Sequence, residues 1–547
     1  MFFQSSPASL DTGRSNVFLL CFLGALLYFP ALGARDFWAP VEPRYAEIAR
    51  VMFAKGEWIV PTVNGDLYTD KPILYFWIVL IASKIFGGVS EWTVRLPAAI
   101  GGVGFVVTTY LIGRDFFGAR VGFYSAVILA TSVRVIWESR WAHIDMLFCF
   151  FFVLTIYFGA RALLRKGNPY EILLAYAFMA LATLTKGLIG IVLPGLIFLT
   201  LMVARREWCM IVDAKLPLGI PIFLIIVAPW FYLVNHATDG KWLSDFIYIH
   251  HVKRYASGAG HRQPFYYYFT TLPVDFLPWT IFALPAILAY RPYRQLWTDS
   301  TVQLVSLWFA VIFLFFSISD TKRELYLLPL VPTIALFVAT YFNALATNTL
   351  PQDLLLRWSG AVFLAIIGVA GLALPLIAGR VRPDALSALI PASAALAVGG
   401  IFAAGFVWRR RPLKALAAVS AMMAATVLGA SYSVFPYLEE FKSDRAFSST
   451  IKRVVPRSAH LYVYSDTMND FNYYSERESI PVLASPAAVE RARKSSKASY
   501  LLIKDRDLKR LPAIPADWIL ESDSRGSTTW YLVELNKPSR PMGAETR

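Results

Sequence analysis

RDFWAPVEPRYAEIARVMFAKGEWIVPTVNGDLYTDKP, residues 35–72, decides how the rest of the chain is read. It follows an apolar run, Asn16 to Ala34, long enough to cross a bilayer, so its charged residues emerge at a membrane face. Pro43 stands where a helix favours proline, at the first turn, and Tyr45, Ile48, Ala49, Met52 and Phe53 recur at i, i+3, i+4, i+7 and i+8. The spacing predicts a helix from about Pro43 to Lys55 that lies flat on the membrane with this stripe toward the lipid. Glu42 falls at its N-terminus, where the helix dipole favours an ionised carboxylate. Asp70 and Lys71 follow, Lys71 held extended by Pro72. From these residues alone, an interfacial loop whose charges simply stay hydrated is an equal reading.

The composition places this stretch in a polytopic membrane protein. Of 547 residues, 57% are hydrophobic and only 16% charged, with mean hydropathy +0.51. The net charge of +15 is scattered among apolar runs rather than gathered into one stripe. That argues against nucleic acid and for lipid headgroups and a lipid phosphate as partners. Cys21, Cys149 and Cys209 lie in or near apolar runs and form neither a disulfide framework nor a zinc spacing. The first run resembles a signal sequence, but Leu32 spoils the cleavage site at Ala31 to Ala34, so a retained anchor is expected.

Further spans are expected at roughly residues 96–113, 121–137, 144–164, 170–184, 187–204, 216–234, 266–290, 302–319, 325–346, 358–378, 390–408 and 413–434, about thirteen with the first. Ile73 to Phe86 decides the topology, being apolar but short and interrupted by Lys84. Read as a second interfacial helix, it leaves Arg114 with Arg120, Arg161 with Arg165 and Lys166, Arg205 with Arg206, Arg291 with Arg294, and Arg409 to Arg411 on the cytoplasmic side. The N-terminus is then cytoplasmic. The opening loop, His143 to Asp145, Lys186, residues 235–265 and Asp320 to Glu324 converge on the outer face. From about Pro436 the spans end, and short β-rich runs at Leu461 to Tyr464, Tyr500 to Ile503 and Thr528 to Glu534 predict a small α/β domain. The expected organisation is a membrane domain over 1–435, with the loop 35–95 outside, and an extracytoplasmic domain over 436–547. No nucleotide-binding glycine loop, paired-aspartate metal motif or zinc signature is present.

The run EPRYAEIARVMFAKGEWIVP followed by YTDKP resembles the first extracytoplasmic loop of the GT-C membrane glycosyltransferases that take a sugar from polyprenyl phosphate. The nearest type adds 4-amino-4-deoxy-L-arabinose to lipid A; the protein O-mannosyltransferases are more distant, and the similarity continues more loosely to about residue 345. The resemblance implies a mainly α GT-C fold, multi-pass in a bacterial inner membrane with the C-terminal domain periplasmic. It implies an inverting transfer to lipid A or another envelope acceptor, by a monomer needing neither metal nor other cofactor. Protein O-mannosylation is the alternative acceptor chemistry. A flippase of lipid-linked sugars is the alternative class, and it predicts half-repeats and broken helices near the midplane that the sequence does not show.

Such a transfer needs a carboxylate for the acceptor proton and cations for the departing phosphate. Glu42 and Asp145, the latter in SRWAHIDMLF at a helix mouth, are the expected catalytic carboxylates. Lys71, Arg44, Arg254 and Lys186 are the expected phosphate ligands. Tyr45, Tyr68, Asp70, His251, Lys322 and Tyr326 are expected to line the substrate pocket. For Glu42 and Arg44, mutual pairing competes with this reading, as does snorkelling for Lys186 and interfacial anchoring for the tyrosines. One departure matters: the family pattern carries an acidic pair where this chain has Val41-Glu42.

Overall fold

The computed structural model describes residues 10–164, 168, 170–249, 262–290, 298–350, 354–465, 470–511, 514–525 and 528–536. Helix α1 (Leu10–Tyr28) is followed by the opening loop and α2 (Glu42–Lys55), which Gly56 closes in the left-handed conformation that favours glycine. Asn64-Gly65, both at positive φ, turn the short hairpin β1 (Thr62–Val63) and β2 (Asp66–Leu67). Helix α3 (Leu74–Phe86) has 13 residues; at 1.5 Å per residue that is about 20 Å, short of the roughly 30 Å hydrocarbon layer.

The membrane bundle begins with α4 (Glu91–Phe117), started by a capping box between Ser90 and Thr93. Next come α5 (Ala119–Ala130), α6 (Val133–Ser139), α7 (Ile144–Leu164), α8 (Glu171–Lys186) and α9 (Ile189–Arg205). Among the described residues eight helices are long and apolar enough to cross a membrane, or ten if each of two bent pairs is one span. The pairs correct the expectation of straight spans over 121–137 and 266–290. Helices α5 and α6 meet at 66°, where the Thr131 and Ser132 hydroxyls donate back to carbonyls of the preceding turn. Tyr267–Asp275 and Thr280–Ala289 meet at 107° across Pro278, which has no N–H to continue a helix. Three further expected segments are occupied by α1, α8 and α9, of 19, 16 and 17 residues.

The stripe on α2 faces protein instead of lipid. Tyr45, Ile48, Ala49 and Met52 are buried in one cluster with Tyr75, Phe76, Val79 and Leu80 of α3 and Trp242 and Phe246. The C-terminal region supplies the other wall, with Tyr473 and Tyr474 packed against the same cluster. An amphipathic period specifies that one face is covered but not by what; here α3 and the tail cover it.

The tail folds as a five-stranded sheet of order β4-β3-β5-β7-β6, made of β3 (His460–Tyr464), β4 (Val482–Leu483), β5 (Ser499–Lys504), β6 (Ile519–Arg525) and β7 (Thr528–Glu534). Strand β3 pairs in parallel with β4 and β5, and β7 pairs antiparallel with β5 and β6. It docks on the opening loop: Asn64 Oδ1 accepts from the Ile480 N–H at 2.6 Å, Tyr474 donates to Glu91 at 2.9 Å, and Arg445 bridges Asp36 and Glu91.

Candidate active site

Glu42 is fully buried and accepts six hydrogen bonds. Arg35 donates two of them, at 2.6 and 2.9 Å, and Arg95 two more, at 2.8 and 2.9 Å. The Trp38 and Ala142 backbone N–H groups complete the set at 3.1 and 3.0 Å. A carboxylate offers about four lone-pair positions, so Glu42 has none left for a substrate. Burial alone would raise its pKa, but the two guanidinium groups outweigh it and hold the carboxyl well below the usual range. Arg95 also donates to the carbonyls of Leu32, Arg35 and Asp36, and the Arg35 guanidinium stacks 3.7 Å from the Trp141 ring. The result is a knot tying the opening loop, α2, α4 and the turn before α7.

That turn leads into a second polar group. Asp145, in the first turn of α7, is ion-paired with Lys186 at the end of α8, and both side chains are largely buried. The Lys186 ammonium also lies 5.3 Å from the Tyr326 ring and 5.1 Å from that of Phe148. Lys186, expected as a phosphate ligand, is therefore Asp145's partner. Asp70 and Lys71 pair at 3.0 Å and stay about one fifth exposed. Tyr45 is the common neighbour, within electrostatic reach of Asp70, Asp145 and Arg44. Arg44 is half-buried and makes no ion pair among the described residues. Burial pushes the Tyr45 and Tyr68 hydroxyls up, and both rings pack edge-on to Phe76.

Two expected residues, His251 and Arg254, lie outside the described residues. Lys322 is buried and donates to the carbonyls of Gln263, at 3.2 Å, and Ser319, which ties the segment at Gln263 to the turn at Thr321. Among the described residues, no three or more His, Cys, Asp or Glu side chains gather as metal ligands. A separate cavity of about 200 Å³ is lined by Leu32, Trp137, Arg140, Met423, Phe435 and Pro436 among others; Asp70, Lys71, Asp145 and Lys186 are not on it.

Arg35, Arg95, Glu138 and His143 were not read from the sequence as functional. His143 Nδ1 lies 2.5 Å from Glu138 Oε2. Arg134 reaches Glu138 at 3.3 Å and Asp275 at 2.6 Å. A signal existed: arginine at 95 and a Glu and His five residues apart all flank apolar spans, where unpaired charge is costly.

Residues 70–233 match the family model described as dolichyl-phosphate-mannose-protein mannosyltransferase. An uncharacterized protein of Aquifex aeolicus is 27% identical over 532 residues, covering 96% of this chain and 97% of its own length. The undecaprenyl phosphate-alpha-4-amino-4-deoxy-L-arabinose arabinosyl transferase of Pectobacterium atrosepticum is 30% identical over 378 residues, which span 66% of this chain and 65% of that relative, just under two thirds of each. Its counterpart in Shewanella sediminis is 26% identical and covers 83% of both chains. In fold, the chain is similar to the crystal structure of ArnT from Cupriavidus metallidurans bound to undecaprenyl phosphate, with TM-score 0.77 at 21% identity over 95% of this chain and 98% of that one. It is less similar to the archaeal oligosaccharyltransferase AglB from Archaeoglobus fulgidus, with TM-score 0.56 at 13% identity over 91% and 70%.

Proposed function

We propose that this chain, which shares the fold of the GT-C membrane glycosyltransferases and resembles in sequence the lipid A 4-amino-4-deoxy-L-arabinose transferases and the protein O-mannosyltransferases, moves a monosaccharide, aminoarabinose or a close relative, from polyprenyl phosphate to lipid A or another envelope acceptor. The observation that carries this reading is the gathering of the Asp70–Lys71 and Asp145–Lys186 pairs, with Asp70 and Asp145 both within electrostatic reach of Tyr45 on the helix that Glu42 begins. We place this cluster on the periplasmic face of a bacterial inner membrane, with the N-terminus in the cytoplasm and the chain acting as a monomer.

In this mechanism Lys71 and Arg44 hold the donor phosphate, and no metal takes part. Tyr45, Tyr68 and Tyr326 shape the sugar pocket. Asp145, fixed by Lys186, orients the acceptor hydroxyl toward the anomeric carbon. The acceptor oxygen forms its bond to that carbon as the bond to the phosphate oxygen breaks, from the opposite side, so the configuration inverts. The leaving electron pair settles on a phosphate that the cations already neutralise. Glu42 keeps an essential place, but as the residue that positions the turn carrying Asp145; its filled lone pairs bar it from taking a proton.

The test is purified protein in detergent or nanodiscs, given synthetic polyprenyl-phosphate aminoarabinose with lipid A, followed by mass spectrometry of both lipids. Glycosylated lipid A with release of polyprenyl phosphate supports the reading. The mannosyltransferase family match over 70–233 makes peptide hydroxyls the second acceptor to offer. Product on peptides and none on lipid A would move the acceptor to protein, and consumption of the donor by neither would remove the proposal.

A further inference from the structure

A general base needs an open lone pair and a pKa near working pH. Glu42 has no open lone pair, the charge of Asp145 is neutralised by the Lys186 ammonium, which makes it a weak proton acceptor though it can still accept a hydrogen bond, and position 41, where the family carries its first acidic residue, is a half-buried valine packed in the α2 cluster. One basic atom beside Asp145 remains unused. His143 stands on the turn that Glu42 anchors through Ala142, two residues before Asp145. Its Nδ1 meets Glu138, which Arg134 and Asp275 brace from behind. A carboxylate on Nδ1 holds a proton there and leaves the Nε2 lone pair as an acceptor. Among the described residues, the hydrogen bond of the ring is the one between Nδ1 and Glu138, which leaves Nε2 for an incoming hydroxyl.

We propose that His143 takes the acceptor's proton, with Glu138 orienting it, in place of the acidic residue absent at position 41. The inference rests on the transferase reading above. The acceptor O–H bond breaks with its proton passing to Nε2, the oxygen pair bonds to the anomeric carbon, and the carbon–phosphate oxygen bond breaks onto the phosphate. Glu138 stabilises the imidazolium, which then gives its proton to solvent. The charged groups around His143 are Glu138 and Arg134 from α6, Asp145 from α7 with Lys186 of α8 behind it, Glu42 from α2, and Asp275 and Glu324 beyond Arg134. Burial by itself would make the imidazole less basic, but the Glu138 contact outweighs it and raises the pKa above the ordinary histidine value.

The test is the pH profile of kcat/KM for sugar transfer. The wild-type rate should fall on the acid side through one ionisation. His143→Gln should lower kcat by roughly 100-fold or more, a usual contribution of a general base, leave the donor KM in place and abolish the acid limb. Glu138→Gln should move that limb to lower pH. His143→Gln acting within about threefold of wild type, with the limb intact, overturns the proposal. If His143→Gln does not fold, an unshifted limb in Glu138→Gln overturns it instead. A wild-type protein that transfers nothing defeats the transferase reading and this inference with it, whereas transfer unaffected by either variant defeats the inference alone.

Discussion

Glu42 and Asp145 are both buried carboxylates paired with cations, and the turn from Ala142 to Asp145 connects them, yet their surroundings assign them different work. Glu42 meets four donors from two guanidinium groups and two from the backbone. Asp145 meets one ammonium, has His143 within electrostatic reach, and shares Tyr45 as a neighbour with Asp70. A fully satisfied buried charge fixes geometry; one that is only partly satisfied can still receive a ligand. Burial does not separate these roles, since both groups are nearly inaccessible. Counting the donors against the lone pairs does.

That contrast is most exposed to test at the knot. Glu42→Ala leaves Arg35 and Arg95 buried without a carboxylate, and removing one partner of a buried pair costs about 3–5 kcal/mol. Thermal unfolding in detergent should show it, together with loss of transfer. Its folded pKa is depressed, so the stabilisation is complete above the ordinary glutamate range and disappears only as pH falls below it. Glu42→Gln should therefore flatten the acid side of the stability profile. A Glu42 variant that melts like wild type would abolish the distinction between the two sites.

Lys71→Ala should do the reverse, leaving unfolding unchanged while weakening donor use by roughly 10- to 100-fold, the usual worth of a charge-assisted contact. Saturation kinetics in the donor measure it, with KM expected to carry most of the change. Smaller is the effect of Lys186→Met, which frees Asp145 from its clamp. We expect turnover to fall about tenfold with donor KM nearly constant, since the loss lies in positioning. Val41→Asp should change wild-type turnover least, by under about threefold, because the proton already has an acceptor. A large gain would return the base to the opening loop.

The fold was legible to the extent that pattern determines it. Apolar length marked the spans, and the change of composition near Pro436 marked the tail whose β3, β5 and β7 overlap the strands read at Leu461, Tyr500 and Thr528. The α2 period was legible as amphipathic but its partner was not, because Tyr473 and Tyr474 lie some four hundred residues away. At the site, Asp70, Lys71, Asp145 and Lys186 could be named from charge at the ends of apolar runs. Their pairing could not, since Lys186 meets Asp145 only after α7 and α8 pack side by side. Glu42 was noticed for its position and misjudged in its role, because Arg35 and Arg95 reach it from elements the local sequence does not connect.

The central claim is that the carrier's head lies against Asp70, Lys71 and Asp145. A photoactivatable polyprenyl phosphate, with the reactive group next to the phosphate, can be bound to the purified protein, crosslinked and mapped by peptide mass spectrometry. The account predicts labels within residues 44–75 and 143–148, lost in Lys71→Ala. Labels confined to the cavity lined by Trp137, Met423 and Phe435, and unaffected by Lys71→Ala, would contradict it.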